Sequence, residues 1–530
     1  PSPPADPNRV DMACFVGFVA RRQTRLPESL RLWLRDQGWV GTDHARSAAA
    51  QDSEDAVATL EDVPVPIDSW DGFNQMFAWE SRSLVGTEGR SDTYLGAAVR
   101  SFFAQGGQRC YVVRVGDPWP VTETRENRLS QLDRLIPGYT QGQVSSHPLD
   151  PASWCGVGHL LGLPEVSFVS LPDLPDLVSR DRTPPPVEIQ VPAFPEQFVE
   201  CSEPTPAPPP DRPVRAIAAP QSDPLGYGDW ANALNIVARF IQQRRREVQL
   251  VAAVPLPTPG SAAERNLLSF LLQGRFRRGD DECPLTALVD ALDASLGLAS
   301  AFVQLVYPWV STPGSLNLPQ QLENPEAVLT GILARNALQR GTFRSAASSD
   351  LGDVYGLFPV ISQIEAEAEI SSEIGPSRPL PDIPLIERIS LMGPTPAGLR
   401  LLSDVTTSGD PTYRPASVNR LVASLLRAAR RLGEDLVFES SGELLWARVR
   451  ESLNGLLLGL YRAGALRGET PEEAFQVRCD RTTMTQQDLD SGRVIAQVNF
   501  TPTVPIDQIT VRLMLTNSSQ SAQLVPAVVS

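Results

Sequence analysis

Short apolar runs separated by helix-length segments constrain this chain most strongly. Residues 12–20 (MACFVGFVA), 110–115 (CYVVRV), 165–171, 248–254 and 301–310 each read as a strand too uniformly apolar to leave one face in water. Helical patterns lie between them: 92–105, followed by Gly106-Gly107; 230–246, with Ala231, Leu234, Val237 and Ile241 on one face; and 262–272. Strands buried on both faces and alternating with helices call for a mostly parallel sheet with helices over each side. The expected fold class is therefore α/β.

The last part of the chain, 440–515, follows a different pattern. Ser440-Ser441-Gly442-Glu443 has the S-x-x-E form of a capping box. Trp446, Val449, Leu453, Leu456, Leu457 and Leu460 then recur at helical spacing, with Gly464 as a stop. A second box is expected at Thr470, with Pro471 at the first helical position and Glu473 three residues after the cap. Residues 475–479 read as a buried strand and 480–492 as a polar loop. Two alternating strands close the unit, with Val494, Ala496, Val498 and Phe500 on one face of the first and Ile509, Val511, Leu513 and Leu515 on one face of the second. Helices first and an alternating sheet after them make this an α+β unit.

Length and composition exclude several functions. A chain of 530 residues, 42% hydrophobic and 20% charged, has material for two or more packed domains. The net charge of −16 speaks against nucleic acid as a main partner, since phosphate binding needs a basic face. All 46 basic residues are arginine, which removes the Walker lysine and any Schiff-base lysine; a coding bias explains this without invoking function. The six cysteines, at 14, 110, 155, 201, 283 and 479, form no C-x-x-C pair and read as reduced thiols of a cytoplasmic protein. No charged-then-apolar leader and no run of about 18 apolar residues is expected to act as a targeting or membrane-spanning segment. Pro1-Ser2 is what removal of an initiator methionine would leave. The proline-dense stretch 184–220, with Pro208-Pro-Pro210, reads as an exposed extended loop within an outward insertion at about 120–230.

No catalytic, cofactor-binding or metal site is expected. His44 and His147 lie in polar loops, and His159 sits in Gly156-Val-Gly158-His-Leu-Leu-Gly162, whose spacing is wrong for a dinucleotide loop and fits a turn. No G-x-S-x-G elbow occurs. The acidic run 365–369 reads as a solvated face.

Several motifs, in order along the chain, resemble those of contractile tail sheath proteins, which sheathe phage tails, tailocins and contractile injection systems. They are Phe15-Val-Gly17, Ile67-Asp-Ser-Trp70, Phe102-Phe-Ala-Gln-Gly-Gly107, the strand at 110–115, Tyr307-Pro-Trp309, Gly331-Ile-Leu-Ala-Arg335, Arg340-Gly341 and the helix at 418–432. Toward the end stand Leu445-Trp-Ala-Arg-Val-Arg-Glu-Ser-Leu453, Gly464-Ala-Leu-Arg-Gly468, Pro471-Glu-Glu-Ala-Phe475, Val477-Arg-Cys-Asp-Arg-Thr-Thr483 and Asp490-Ser-Gly-Arg493. The sequence departs from the family at Phe438-Glu439-Ser440-Ser441, where V-F-E-P-N is usual, and at 342–347. Nothing before Asp11 resembles the family's P-G-V-Y arm.

The resemblance implies a subtilisin-like, mostly parallel α/β domain at 8–385 carrying the outward insertion, a C-terminal sheath domain at 386–515 and a tail at 516–530. It implies a structural subunit without cofactor, forming six-fold rings stacked around an inner tube protein, with baseplate and cap proteins at the ends. Arg448, Arg450 and Asn454 would face the tube, or else solubilise an amphipathic helix. Ile509, Val511, Leu513 and Leu515 would form a strand added to a neighbouring subunit's sheet, or else pair within their own. Two alternatives remain at this stage: a non-contracting paralogue serving as a collar or adaptor ring, and an α/β hydrolase, which the subtilisin-like topology raises.

Overall fold

The computed structural model describes residues 10–37, 39, 59–84, 89–182, 213–261, 275–278, 281–284, 298–361, 366, 384–436, 442–491, 493–503 and 509–515. His44, Ser440-Ser441, the helix expected at 262–272, the prolines at 208–210, the acidic run apart from Ala366, and the tail at 516–530 lie outside the described residues.

The first unit is built from β1 (Ala13–Gly17), β2 (Pro64–Ile67), α1 (Tyr94–Ala104), β3 (Cys110–Arg114), β4 (Phe168–Ser170), α2 (Pro224–Arg244), β5 (Gln249–Ala253), β6 (Val303–Tyr307), α3 (Glu326–Gln339), β7 (Ser390–Thr395) and β8 (Gly398–Leu401). Eight strands form one sheet in the order β8-β7-β6-β5-β4-β1-β3-β2. The six inner strands run parallel, and β2 and β8 close the edges antiparallel. The period of two sorts the side chains of β1 onto opposite faces. Cys14 and Val16 pack with Trp230, Leu234, Val237 and Ile241 of α2. Ala13 and Phe15 pack with Leu95, Val99 and Phe102 of α1 and Val328 and Ile332 of α3. The four residues expected on one face of the α2 region are all buried.

Two boundaries differ from the sequence reading. Helix α2 starts at Pro224, earlier than expected, because Asp223 caps it, accepting from Gly226 N at 2.7 Å, with proline at the first helical position. The sheet also continues past residue 385, since β7 joins β6 in parallel and turns back as β8. Within 120–230, Phe168–Ser170 is a central strand and not part of an outward excursion.

The second unit comprises α4 (Ala416–Leu436), α5 (Glu443–Arg462), β9 (Phe475–Arg478), β10 (Val494–Phe500) and β11 (Ile509–Leu515), its strands antiparallel in the order β9-β10-β11. Leu445, Val449, Leu453 and Leu457 recur every fourth residue and bury one stripe of α5 against Val494, Ala496, Val498, Phe500, Ile509, Val511 and Leu513. Trp446, Leu456 and Leu460 border that core. The end of α5 is a Schellman motif: Gly464, at φ 78°, donates to Tyr461 O, and Ala465 donates to Leu460 O.

The capping box expected at Thr470 does not form, and Ser440-Ser441 of the other lie outside the described residues. The residue before α5 is Gly442, which has no side chain to cap with. Thr470 precedes the single turn Pro471–Ala474, but the Glu473 carboxylate accepts instead from Glu469 N–H, at 3.0 Å. A box does form in the supposed polar loop, where Thr485 and Asp488 cap the short helix Gln486–Asp490 reciprocally. Strand β9 is an edge strand with only Val477 buried, so it is not the buried strand expected.

Helix α4 joins the two units. Arg427 donates to the carbonyl oxygens of Glu165 and Val166, at 2.8 and 2.9 Å, just before β4. Glu247, ahead of β5, lies between Arg245 and Arg430, at 2.8 and 2.7 Å. Asp404, fully buried, takes Arg420 at 2.5 and 3.0 Å and also accepts from Ala346 N and Gln304 Nε2. Burial alone would raise both carboxyls; the guanidiniums outweigh it and hold them below the ordinary range.

Removing Asp404 leaves the Arg420 charge buried without its partner. Asp404→Ala is expected to cost about 3–5 kcal/mol in chemical denaturation, whereas Arg400→Ala, at an exposed pair with Asp350, should cost about 1 kcal/mol or less. Equal losses at the two positions would show that α4 is not held by its buried pair.

Candidate functional site

In an open parallel sheet, ligands bind beyond the C-terminal ends of strands where the chain reverses its direction of travel across the sheet. Here that point lies between β1 and β4, since β3 lies on one side of β1 while β4 through β7 extend on the other. Buried carboxyl groups of the protein stand at and beside these strand ends. Asp173, just after β4, accepts from Phe18 N at 2.7 Å. A Cβ on Gly17 would overlap its Oδ2, so the glycine of the Phe15-Val-Gly17 motif lets the carboxylate reach the end of β1. Glu326, at the start of α3, accepts from Ala253 N at 3.0 Å at the end of β5, and Glu323 accepts from the Ser101 hydroxyl of α1.

Burial raises all three carboxyls, Asp173 to about 6 and Glu323 and Glu326 to about 8 each. They serve as acceptors for strand ends and helix hydroxyls within the protein's own framework. Asp173 follows the strand read at 165–171, and nothing in its spacing announced a buried acceptor.

The histidines are dispersed. His147 is exposed, its Nδ1 accepting from Leu149 N at 3.3 Å. His159 is buried in the 3₁₀ segment Gly156–Gly162, where a turn was expected, with Nε2 3.0 Å from Asp62 Oδ1 and its ring against Trp39. No group of three or more histidine, cysteine, aspartate or glutamate side chains suited to a metal ion occurs among the described residues. Cys14, Cys110, Cys155 and Cys479 are free thiols, and burial pushes Cys14 up to about 12. No helix among the described residues is long and apolar enough to cross a membrane.

The remaining candidate surface is the second unit. Arg448 is exposed on the outer side of α5, on the face that helical spacing also gives to Leu444, Glu451 and Gly455. Leu444 is 91% exposed there. Arg450 and Asn454, four residues apart, lie on a flank, with Arg450 within electrostatic reach of Asp480. The structure thus divides the three expected residues between two sides of the helix.

Strand β11 pairs along all seven residues with β10 of its own chain, from Val494↔Leu515 to Phe500↔Ile509. Ile509, Val511 and Leu513 face the core of their own unit. Of the two pairings expected for this strand, the one within its own sheet is present; its apolar face is occupied, and its outer edge has no partner strand among the described residues.

Stability should report the buried carboxyls. Glu323 and Glu326 hold their protons in the folded state up to about pH 8, but lose them near the ordinary value of 4.5 when unfolded. Their contribution is therefore complete below the unfolded value and is lost as pH rises toward 8, at up to about 1.4 kcal/mol per pH unit for each group. Glu326→Gln, close in shape to the protonated acid, is expected to unfold at a higher temperature than the parent at pH 8.5 and to lose that advantage at pH 5.5, in calorimetry. A pH-independent difference would contradict the buried neutral acid.

No sequence-family model and no curated protein matches the chain. Solved structures do. The anti-feeding prophage (AFP) baseplate in the contracted state aligns with a TM-score of 0.54 at 15% identity, covering 96% of this chain and 93% of that one. The six-fold symmetrised AFP baseplate aligns at 0.52 and 17%, covering 94% and 90%. The AFP helical sheath in the contracted state aligns at 0.50 and 17%, covering 96% and 95%. The chain therefore has, over nearly its whole length, the fold of the sheath proteins of contractile injection systems that its motifs resemble.

Proposed function

We propose that this chain is a structural subunit of a contractile sheath, surrounding the inner tube of a phage-tail-like injection system and driving tube ejection by rearranging from an extended to a contracted lattice. One observation carries the reading: the likeness to the AFP helical sheath covers 96% of this chain and 95% of that one, so it extends to the whole molecule and not just a shared module. Copies would stack as six-fold rings in a helical sheath, assembled in the cytoplasm, with baseplate and cap proteins at the ends. The parallel sheet of the first unit supports a subtilisin-like relation, and the carboxyls nearest its strand ends, Asp173 and Glu326, are engaged by the backbone N–H groups of Phe18 and Ala253.

In this reading the outer face of α5, with Arg448, turns toward the tube, while Arg450 and Asn454 border that contact. Charged contacts of this kind fix register and still separate when the lattice moves. The outer edge of β11 would accept a neighbour's strand by main-chain hydrogen bonds. Covering that edge would also protect the unit from edge-to-edge aggregation.

A second reading is a non-contracting ring at the baseplate. It accommodates the likeness to the two AFP baseplate structures as readily as the first reading accommodates the likeness to the helical sheath.

Electron microscopy of the chain co-expressed with its tube and baseplate proteins separates these readings. A long helical lattice found in two diameters is the expected result. A single ring that never elongates supports the baseplate reading, and a chain that stays monomeric beside preformed tubes contradicts both. Within the lattice, Arg448→Glu should leave the protein folded but reduce sheath assembled per tube by at least about tenfold.

A further inference from the structure

A small cavity at the junction of the two units is lined by two buried polar atoms that the protein does not satisfy. Its volume is about 10 Å³. Ser167 and Gln249 line it from the starts of β4 and β5, and Asn419, Arg420 and Arg427 line it from α4. Ser167 and Gln249 are both buried. The Ser167 hydroxyl and Gln249 Oε1 have no hydrogen-bond partner among the described residues. Unpaired buried polar groups are costly, and native proteins satisfy nearly all of them with protein or ordered water.

Hydrogen-bond polarity fixes which end of the Gln249 amide is left over. Asp404 pairs with Arg420 at 2.5 Å, and the guanidinium keeps it ionised, so it can only accept. Gln304, on β6, must therefore turn its amide nitrogen to Asp404, at 2.9 Å; the same nitrogen donates to Ser390 Oγ at 2.8 Å. That leaves the Gln304 carbonyl oxygen for Gln249, which donates to it through Nε2 at 3.0 Å. Gln249 Oε1 is consequently an acceptor that lacks a donor. Flipping either amide would break this row or set an oxygen against the Asp404 carboxylate. The cavity's arginines are already committed: Arg427 donates to the carbonyl oxygens of Glu165 and Val166, and Arg420 to Asp404.

An orphaned acceptor beside a hydroxyl calls for a group that can both donate and accept. A water molecule needs roughly 10–15 Å³ and at least two polar partners, and the cavity meets both conditions. A cation there would face the guanidiniums of Arg420 and Arg427. An anion would face Gln249 Oε1 and the carboxylate of Glu247, which also lines the cavity.

We propose that this cavity binds a single water molecule, which donates to Gln249 Oε1 and shares a hydrogen bond with the Ser167 hydroxyl. The row Arg420–Asp404–Gln304–Gln249 starts on α4, crosses the first residues of β6 and β5, and ends at this water, beside α4 again. The second unit is thus seated on the strand starts by a water-mediated contact as well as by buried ion pairs.

Two measurements on the full chain test this. A high-resolution density map is expected to show one isolated peak within about 2.6–3.2 Å of both Gln249 Oε1 and Ser167 Oγ. An empty cavity in a map that resolves other buried waters would overturn the proposal, as would a peak with the strength or coordination of an ion. Thermal unfolding of Ser167→Ala gives an independent test, because its sign depends on the water. If the hydroxyl is bound to water, removing it should lower the melting temperature by about 1–3 °C. If the cavity is dry, the same substitution removes an unpaired buried hydroxyl and should raise the melting temperature. A rise or no change would therefore also overturn the assignment.

Discussion

A six-stranded parallel core leaves no face for water, and most of this structure follows from that constraint. The inner strands are apolar on both sides, so helices must cover both faces: α2 on one, α1 and α3 on the other. Covering the faces still leaves the strand ends. At one end, Asp173 and Glu326 accept from the N–H groups of Phe18 and Ala253. Near the other, α4 sends Arg427 to carbonyls just ahead of β4. Both ends of the sheet are thus closed by side chains from the same molecule, and α4, which closes one of them, belongs to the second unit.

This explains what was legible in the sequence. Periodicity reports which faces are buried, so the central strands, the stripe of α2 and the two alternating strands near the end could be read directly. Caps were less legible because several sequences compete for one helix start. Ser440-Ser441-Gly442-Glu443 matches a box on paper, yet the helix begins after Gly442, and Glu473 turns its carboxylate to Glu469. The box at Thr485 and Asp488 used aspartate where the sequence reading looked for glutamate.

The buried charges were the least legible feature of all. Nothing in the spacing of Asp173, Asp176, Glu247 or Asp404 distinguishes them from surface carboxylates, because each has at least one partner on another element of the fold. Arg82 meets Asp176 across 94 residues and Arg430 meets Glu247 across 183. The same holds for the outer edge of β11. Alternation identifies a strand but does not say which chain it pairs with, and here the strand is satisfied by β10 along its full length.

The arginine pairs also bear on where a sheath of this fold would keep its energy. Taking one partner away from a buried ion pair costs about 3–5 kcal/mol, more than an exposed contact contributes. The junction through α4 holds two such buried carboxylates, Glu247 and Asp404, each bound by guanidiniums. A rearrangement that swung the second unit away from the first would have to break both. A rearrangement between copies would break only surface contacts, such as those of Arg448 on α5. In the contractile role proposed above, the two units would therefore move together as one body, and the difference between extended and contracted states would reside in the surfaces between copies.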